Sequence, residues 1–171
     1  MRADRFVERL ADARIGTTFN QYADERLAGR LVRYLESRTG ARFLLVGEAA
    51  GYRGARVSGL PFTSERQLSG SGPAEASATI VQRVLAELAC GEDVLLWNVV
   101  PTHPGTENSN RLPTRNEVEA GRWFLEELSR GRRLIAVGRV AEAATGAPYV
   151  RHPSHGGAGD FARGLAAALA E

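Results

Sequence analysis

Three short apolar segments, each followed by a stretch of different periodicity, restrict the fold of this chain more than any other feature. They are Arg42–Glu48, Asp93–Pro101 and Arg133–Gly138. A strand with one wet face alternates polar and apolar residues, whereas one covered on both faces is apolar throughout. A fourth, shorter strand is expected at Tyr149–Pro153. Between and before these segments the period is helical. Phe6, Leu10 and Ala13 share one face, and Leu27, Leu31, Val32 and Leu35 share another before Gly40 ends the helix. Residues 73–89 carry the stripe Ile80, Val81, Val84, Leu85 and Leu88. Thr114-Arg115-Asn116-Glu117 reads as a capping box opening a helix through Trp123, Phe124 and Leu128. A short helix is expected over 140–144, and Asp160 should cap a final alanine-rich one. Strand–helix alternation of this kind predicts an α/β protein, a three-layer α/β/α sandwich around a central four-stranded parallel sheet. With 171 residues, no internal repeat and no linker, a single domain over 1–171 is expected.

The basic residues narrow the chemistry. All 22 of them are arginine. Without lysine there is no lysine imine, no pyridoxal Schiff base and no Walker-type phosphate lysine. The single cysteine, Cys90, excludes an internal disulfide and a cysteine-held iron–sulfur cluster or zinc ribbon within the chain. With only three histidines as well, neither a metal nor a cofactor is expected. Net charge is +2, which permits a nucleic-acid partner without demanding one. No segment reaches the roughly 18 apolar residues of a membrane span, and Met1–Arg5 opens a charged segment rather than a secretory leader. A cytoplasmic monomer without membrane contact is the expectation.

In open parallel sheets, ligands bind beyond the carboxyl ends of the strands. Three of the four expected strands end in chemically capable residues: Gly47-Glu48, Asn98 and His152. A carboxylate, a carboxamide and an imidazole are thus delivered to one rim by separate segments. Two polar loops follow the first two strands, over 51–72 and 102–113, and long loops inside compact domains usually serve function.

Four pieces in this order resemble the motifs of the uracil-DNA glycosylase superfamily. Gly47-Glu48-Ala49-Ala50-Gly51 is similar to the motif after the first strand. Gly59-Leu60-Pro61-Phe62-Thr63 is similar to the segment that brings in a base-stacking phenylalanine. Leu96-Trp97-Asn98-Val99-Val100-Pro101, with Asn110-Arg111-Leu112-Pro113-Thr114 and Glu117 downstream, resembles the uracil-reading strand and the arginine loop after it. His152-Pro153-Ser154-His155-Gly156-Gly157 resembles the last motif. Taken singly, Phe62 would be a core residue, Asn98 a satisfier of backbone groups at a strand end and His152 a turn residue. The ordered set, from about residue 43 to 161, is specific.

The resemblance implies roles. Phe62 stacks on a pyrimidine flipped out of the duplex, and Asn98 reads its edge, accepting from N3–H and donating to O4. His152 donates to O2 as charge builds on the leaving base. Ser154 and the backbone of His155, Gly156 and Gly157 contact phosphate, as do Arg111, Arg56, Arg53 and Arg66. His155 or Arg151 wedges into the duplex. In the best-known branch an aspartate orients the attacking water where this chain has Ala49. Glu48 matches the acid of the branch that carries an iron–sulfur cluster, although this chain lacks that branch's four cysteines. The thymine-excluding tyrosine corresponds to Gly51, with Tyr52 beside it. The implied activity is a monofunctional, cofactor-free glycosylase acting on uracil-containing DNA. Two alternatives stay open: a glycosylase for mismatched thymine, hypoxanthine or xanthine, and a damaged-DNA binding module without turnover.

Overall fold

The computed structural model describes residues 1–170. Four parallel strands form the central sheet: β1 (Phe43–Ala49), β2 (Val94–Val100), β5 (Arg133–Val137) and β6 (Tyr149–Val150). Their order is β2-β1-β5-β6, so the chain moves outward to β2, recrosses β1 and continues to β6. The reversal of direction beside β1 opens a crevice at the carboxyl ends, where such sheets bind ligands.

Alternate side chains of each strand enter two separate cores. On one face Leu44, Val46, Leu95, Trp97 and Ala136 pack against α1 (Ala3–Ala11), α2 (Glu25–Ser37), α6 (Arg115–Ser129) and α7 (Arg139–Thr145). On the other, Phe43, Leu45, Val94, Leu96 and Ile135 pack against α5 (Ala76–Glu87) and α8 (Ala158–Ala170). Burial on both faces explains why the strands read as continuous apolar runs. The expected three-layer sandwich with four parallel strands is the observed fold.

Local chemistry sets the helix ends. Asp24 caps α2 through the Leu27 N–H. Thr114 and Glu117 form both halves of the capping box on α6, a device worth about 1 kcal/mol. Asn20 donates to the carbonyls of Leu10, Ala11 and Ala13, satisfying the open end of α1. On β2, the edge strand, the Leu96 N–H donates at 2.8 Å to the Tyr34 hydroxyl of α2.

Three local expectations need correction. The loop over 51–72 contains two short helices, α3 (Ala55–Ser58) and α4 (Glu65–Ser69). Helices of four and five residues are too short to show an apolar period, and Gly59 and Gly70 terminate them in the left-handed conformation. The loop over 102–113 carries a small antiparallel ribbon, β3 (Gly105–Thr106) with β4 (Ser109–Asn110). Finally, Asp160 lies inside α8, which begins at Ala158. There it pairs with Arg163 one turn on and with Arg151.

Candidate active site

The carboxyl ends of β1 and β2 and the segment after β6 open into a cleft of about 420 Å³, within the roughly 300–1,000 Å³ of small-molecule sites. Glu48, Phe62, Asn98 and His152 all line it. Four side chains that the sequence places far apart thus meet in one cavity.

Gly47 explains how two of them meet. It pairs in register with Asn98 across β1 and β2. A β-carbon at Gly47 would stand 2.7 Å from Asn98 Oδ1 and still closer to the tip of the Phe62 ring. The missing side chain therefore lets a carboxamide and an aromatic ring approach over one point of the backbone. Asn98 is 4% exposed and its carboxamide has no protein hydrogen-bond partner among the described residues. Buried polar groups are normally paired, so this one is open to a ligand. Phe62 is 9% exposed and sits at φ 49°, left-handed backbone that bulky residues rarely adopt. Its carbonyl and the Thr63 hydroxyl accept from the Gln82 side chain at 3.0 Å each, which ties the ring's backbone to α5.

His152 has a defined proton position. The Ser154 N–H points at His152 Nδ1 at 3.2 Å, and the Ser154 hydroxyl lies 2.8 Å from the same nitrogen. A nitrogen that accepts from a backbone N–H carries no proton, so the neutral ring bears it on Nε2. Burial holds the His152 imidazole below the usual histidine range, with His155 adding in the same sense. The site therefore presents a neutral N–H donor. His155 lines the cleft too, at φ 52°. Strained backbone of this kind concentrates at working sites.

Glu48, one residue before the end of β1, is half-buried, and burial raises its carboxyl above the usual range. Ala49 and Gly51 are part of the cleft wall. Tyr52 is not; it faces a neighbouring groove shared with Arg53, Arg56 and Arg66. Its N–H donates to Asn110 Oδ1.

The arginines differ in how much they are already engaged. Arg111 lines the cleft, but its guanidinium grips the buried Glu117 at 2.6 and 2.8 Å. That pairing holds the Glu117 carboxyl down at about 2. Arg56 lies over the Phe19 ring and pairs with Glu107 at 3.2 Å. Arg66 donates to the Gly72 carbonyl, and Arg151 reaches Asp160. Arg53 is exposed and has no acidic partner among the described residues. Gly157 packs so tightly on the His152 carbonyl that no side chain fits there, whereas Gly156 is open.

Two residues of the site escaped the sequence reading. His103 is fully buried, and its ring bridges the carbonyls of Ala50 and Thr106 at 2.7 and 2.8 Å. It fastens the segment after β1 to the β3–β4 ribbon. A histidine three residues past the end of β2 was the available signal. Glu75, at the start of α5, lines the cleft as a second carboxyl. Nothing in its sequence neighbourhood marks it.

No curated protein sequence matches the chain. Among solved structures, the crystal structure of wild-type Pedobacter heparinus SMUG2 aligns with a TM-score of 0.68 at 15% identity, covering 98% of this chain and 95% of that one. The wild-type UNG structure from Nitratifractor salsuginis aligns with a TM-score of 0.50 at 19% identity, covering 96% and 94%. At these identities the likeness establishes the α/β fold. The sequence model of the uracil DNA glycosylase superfamily matches residues 36–164, a span that holds β1 through β6 and every cleft residue named above, and the chain belongs to that superfamily.

Proposed function

We propose that the protein hydrolyses the N-glycosidic bond of deoxyuridine in DNA, releasing uracil and leaving an intact abasic strand. One observation carries the reading: an unpartnered, buried Asn98 carboxamide beside the Phe62 ring over the bare backbone of Gly47. A flat ring slides against Phe62, and a carboxamide offers an acceptor for uracil N3–H and a donor for O4. A base within a duplex cannot reach such a cleft, so it must be flipped out.

The chemistry follows from the remaining groups. Water adds to C1′, the C1′–N1 bond breaks, and the bonding pair leaves with the base. His152 Nε2–H donates to O2, where the negative charge gathers; this contact strengthens as the bond breaks. Glu48 takes the proton of the attacking water; burial raises its carboxyl above the usual range, the direction a general base requires. Ala49 offers no polar atom for that task. The loop Ser154–Gly157 and Arg53 face the backbone of the strand, with His155 or Arg151 as the wedge. Arg111 and Arg56 share any phosphate contact with Glu117 and Glu107.

Single-turnover incubation with a uracil-containing duplex tests the reading. Release of free uracil and an alkali-labile site are expected. Tight binding of that duplex with no release would instead mark a binding module.

A further inference from the structure

We propose that Glu75 selects the base, its carboxyl filling the space beside pyrimidine C5 and rejecting a methyl group there; the inference rests on the uracil reading of the cleft. Glu75 occupies the residue before the first turn of α5, yet its side chain caps nothing. It turns into the cleft instead. Two glycines make room for it. A β-carbon at Gly51 would lie 2.9 Å from Glu75 Cδ and closer still to Oε1; one at Gly54 would lie 3.0 Å from Cδ and closer still to Oε2. The carboxyl is thus lodged against the single turn from Gly51 to Gly54 and forms a fixed wall. It has no ion pair or hydrogen bond among the described residues, and burial raises its pKa.

The direction of that wall follows from ring geometry. C2 and C5 are opposite corners of a pyrimidine. With O2 on His152 and the N3/O4 edge on Asn98, C5 points away from His152. The strand order separates these sides. His152 follows β6 at one margin of the sheet, and α8 packs over that strand. Helix α5 is the crossover between β1 and β2, at the opposite margin. Its first residues, with Gly51, form the wall that C5 meets. A C5 hydrogen fits against a carboxyl. A methyl group needs the space the carboxyl occupies, and it would strip water from that carboxyl without replacing a hydrogen bond.

The test compares excision of uracil and thymine from G·U and G·T duplexes by the wild type, Glu75→Gln and Glu75→Ala. Glu75→Ser is a second truncation, since serine supports the start of a helix. Truncation is expected to raise the thymine-to-uracil rate ratio by about tenfold or more, the scale for one methyl-sized group in a pocket. Glu75→Gln, of equal volume, should keep the wild-type ratio. An unchanged ratio on truncation overturns the proposal, as does wild-type thymine excision matching that of uracil. Binding of duplexes bearing uncleavable 2′-fluoro analogues of deoxyuridine and thymidine gives the same ratio without turnover. If the wild type cleaves neither base, the hydrolytic reading fails. The binding ratio then still decides on Glu75: a tenfold shift on truncation supports it, and no shift overturns it.

Discussion

His152 shows how much one side chain gains from its immediate neighbour. The Ser154 N–H at Nδ1 leaves the ring proton on Nε2, and burial keeps the ring neutral. A neutral donor matches a leaving base whose charge appears only as the bond breaks. His152→Ala should therefore slow single-turnover cleavage of a uracil duplex by about 10² or more, with the Kd for an uncleavable duplex changed only a few-fold. Equal losses in rate and affinity would make His152 a DNA contact instead. The strained backbone at Phe62 and His155 belongs to this scale as well. Two residues that line the cleft are held in conformations they would not choose, and the surrounding hydrogen bonds hold them there.

At the scale of elements, the β1–β2 register decides whether the pocket exists. Gly47 faces Asn98 in the ladder, and its missing side chain is the space into which the ring and the amide reach. Gly47→Ala should lower cleavage by about 10²-fold, because displacing a positioning group by an ångström costs that much. Thermal melting alongside the rate separates this from unfolding; full activity would show that the two groups are not held over Gly47. The loop before α6 hangs on a different contact. Glu117 is 1% exposed, completes the capping box and receives Arg111. Its folded pKa, about 2, lies below the ordinary value. The stability it contributes is present above roughly pH 4.3 and is lost as pH falls towards 2. Arg111→Ala should cost roughly 2–3 kcal/mol at pH 7, below the usual range for a broken buried pair because Arg111 keeps contact with water. Denaturant titrations at pH 7 and pH 2 check this: the cost should shrink in acid, and equal costs would locate it elsewhere.

Over the whole molecule, the chemistry is bounded by what the chain lacks. A glycosylase that also nicks its strand uses an amine to form an imine at C1′. All 22 basic residues are arginine, whose guanidinium stays protonated. On the hydrolytic reading proposed above, water is the nucleophile. Incubation with a uracil duplex should leave the strand unbroken until alkali is added, and borohydride should trap no protein–DNA adduct; a direct break with a trapped adduct would overturn the hydrolytic reading. The same whole-chain view separates what was legible in the sequence from what was not. The parallel sheet could be read from strands apolar on both faces, and Glu48, Asn98 and His152 from their places at strand ends, because periodicity and strand termini are local properties. Phe62 was reachable only through the motif around it. The short helices α3 and α4 gave no periodic signal, since a helix of one turn has no period to detect; the Ser64–Gln67 capping box and Gly70 were the local marks of α4. Three further arrangements were decided by tertiary structure alone: Glu75 in its two-glycine notch, His103 bridging Ala50 to Thr106, and Arg111 drawn onto Glu117. Each depends on which backbone segments the sheet order brings together at its carboxyl edge, and a carboxylate or an imidazole finds its partner there by proximity in space.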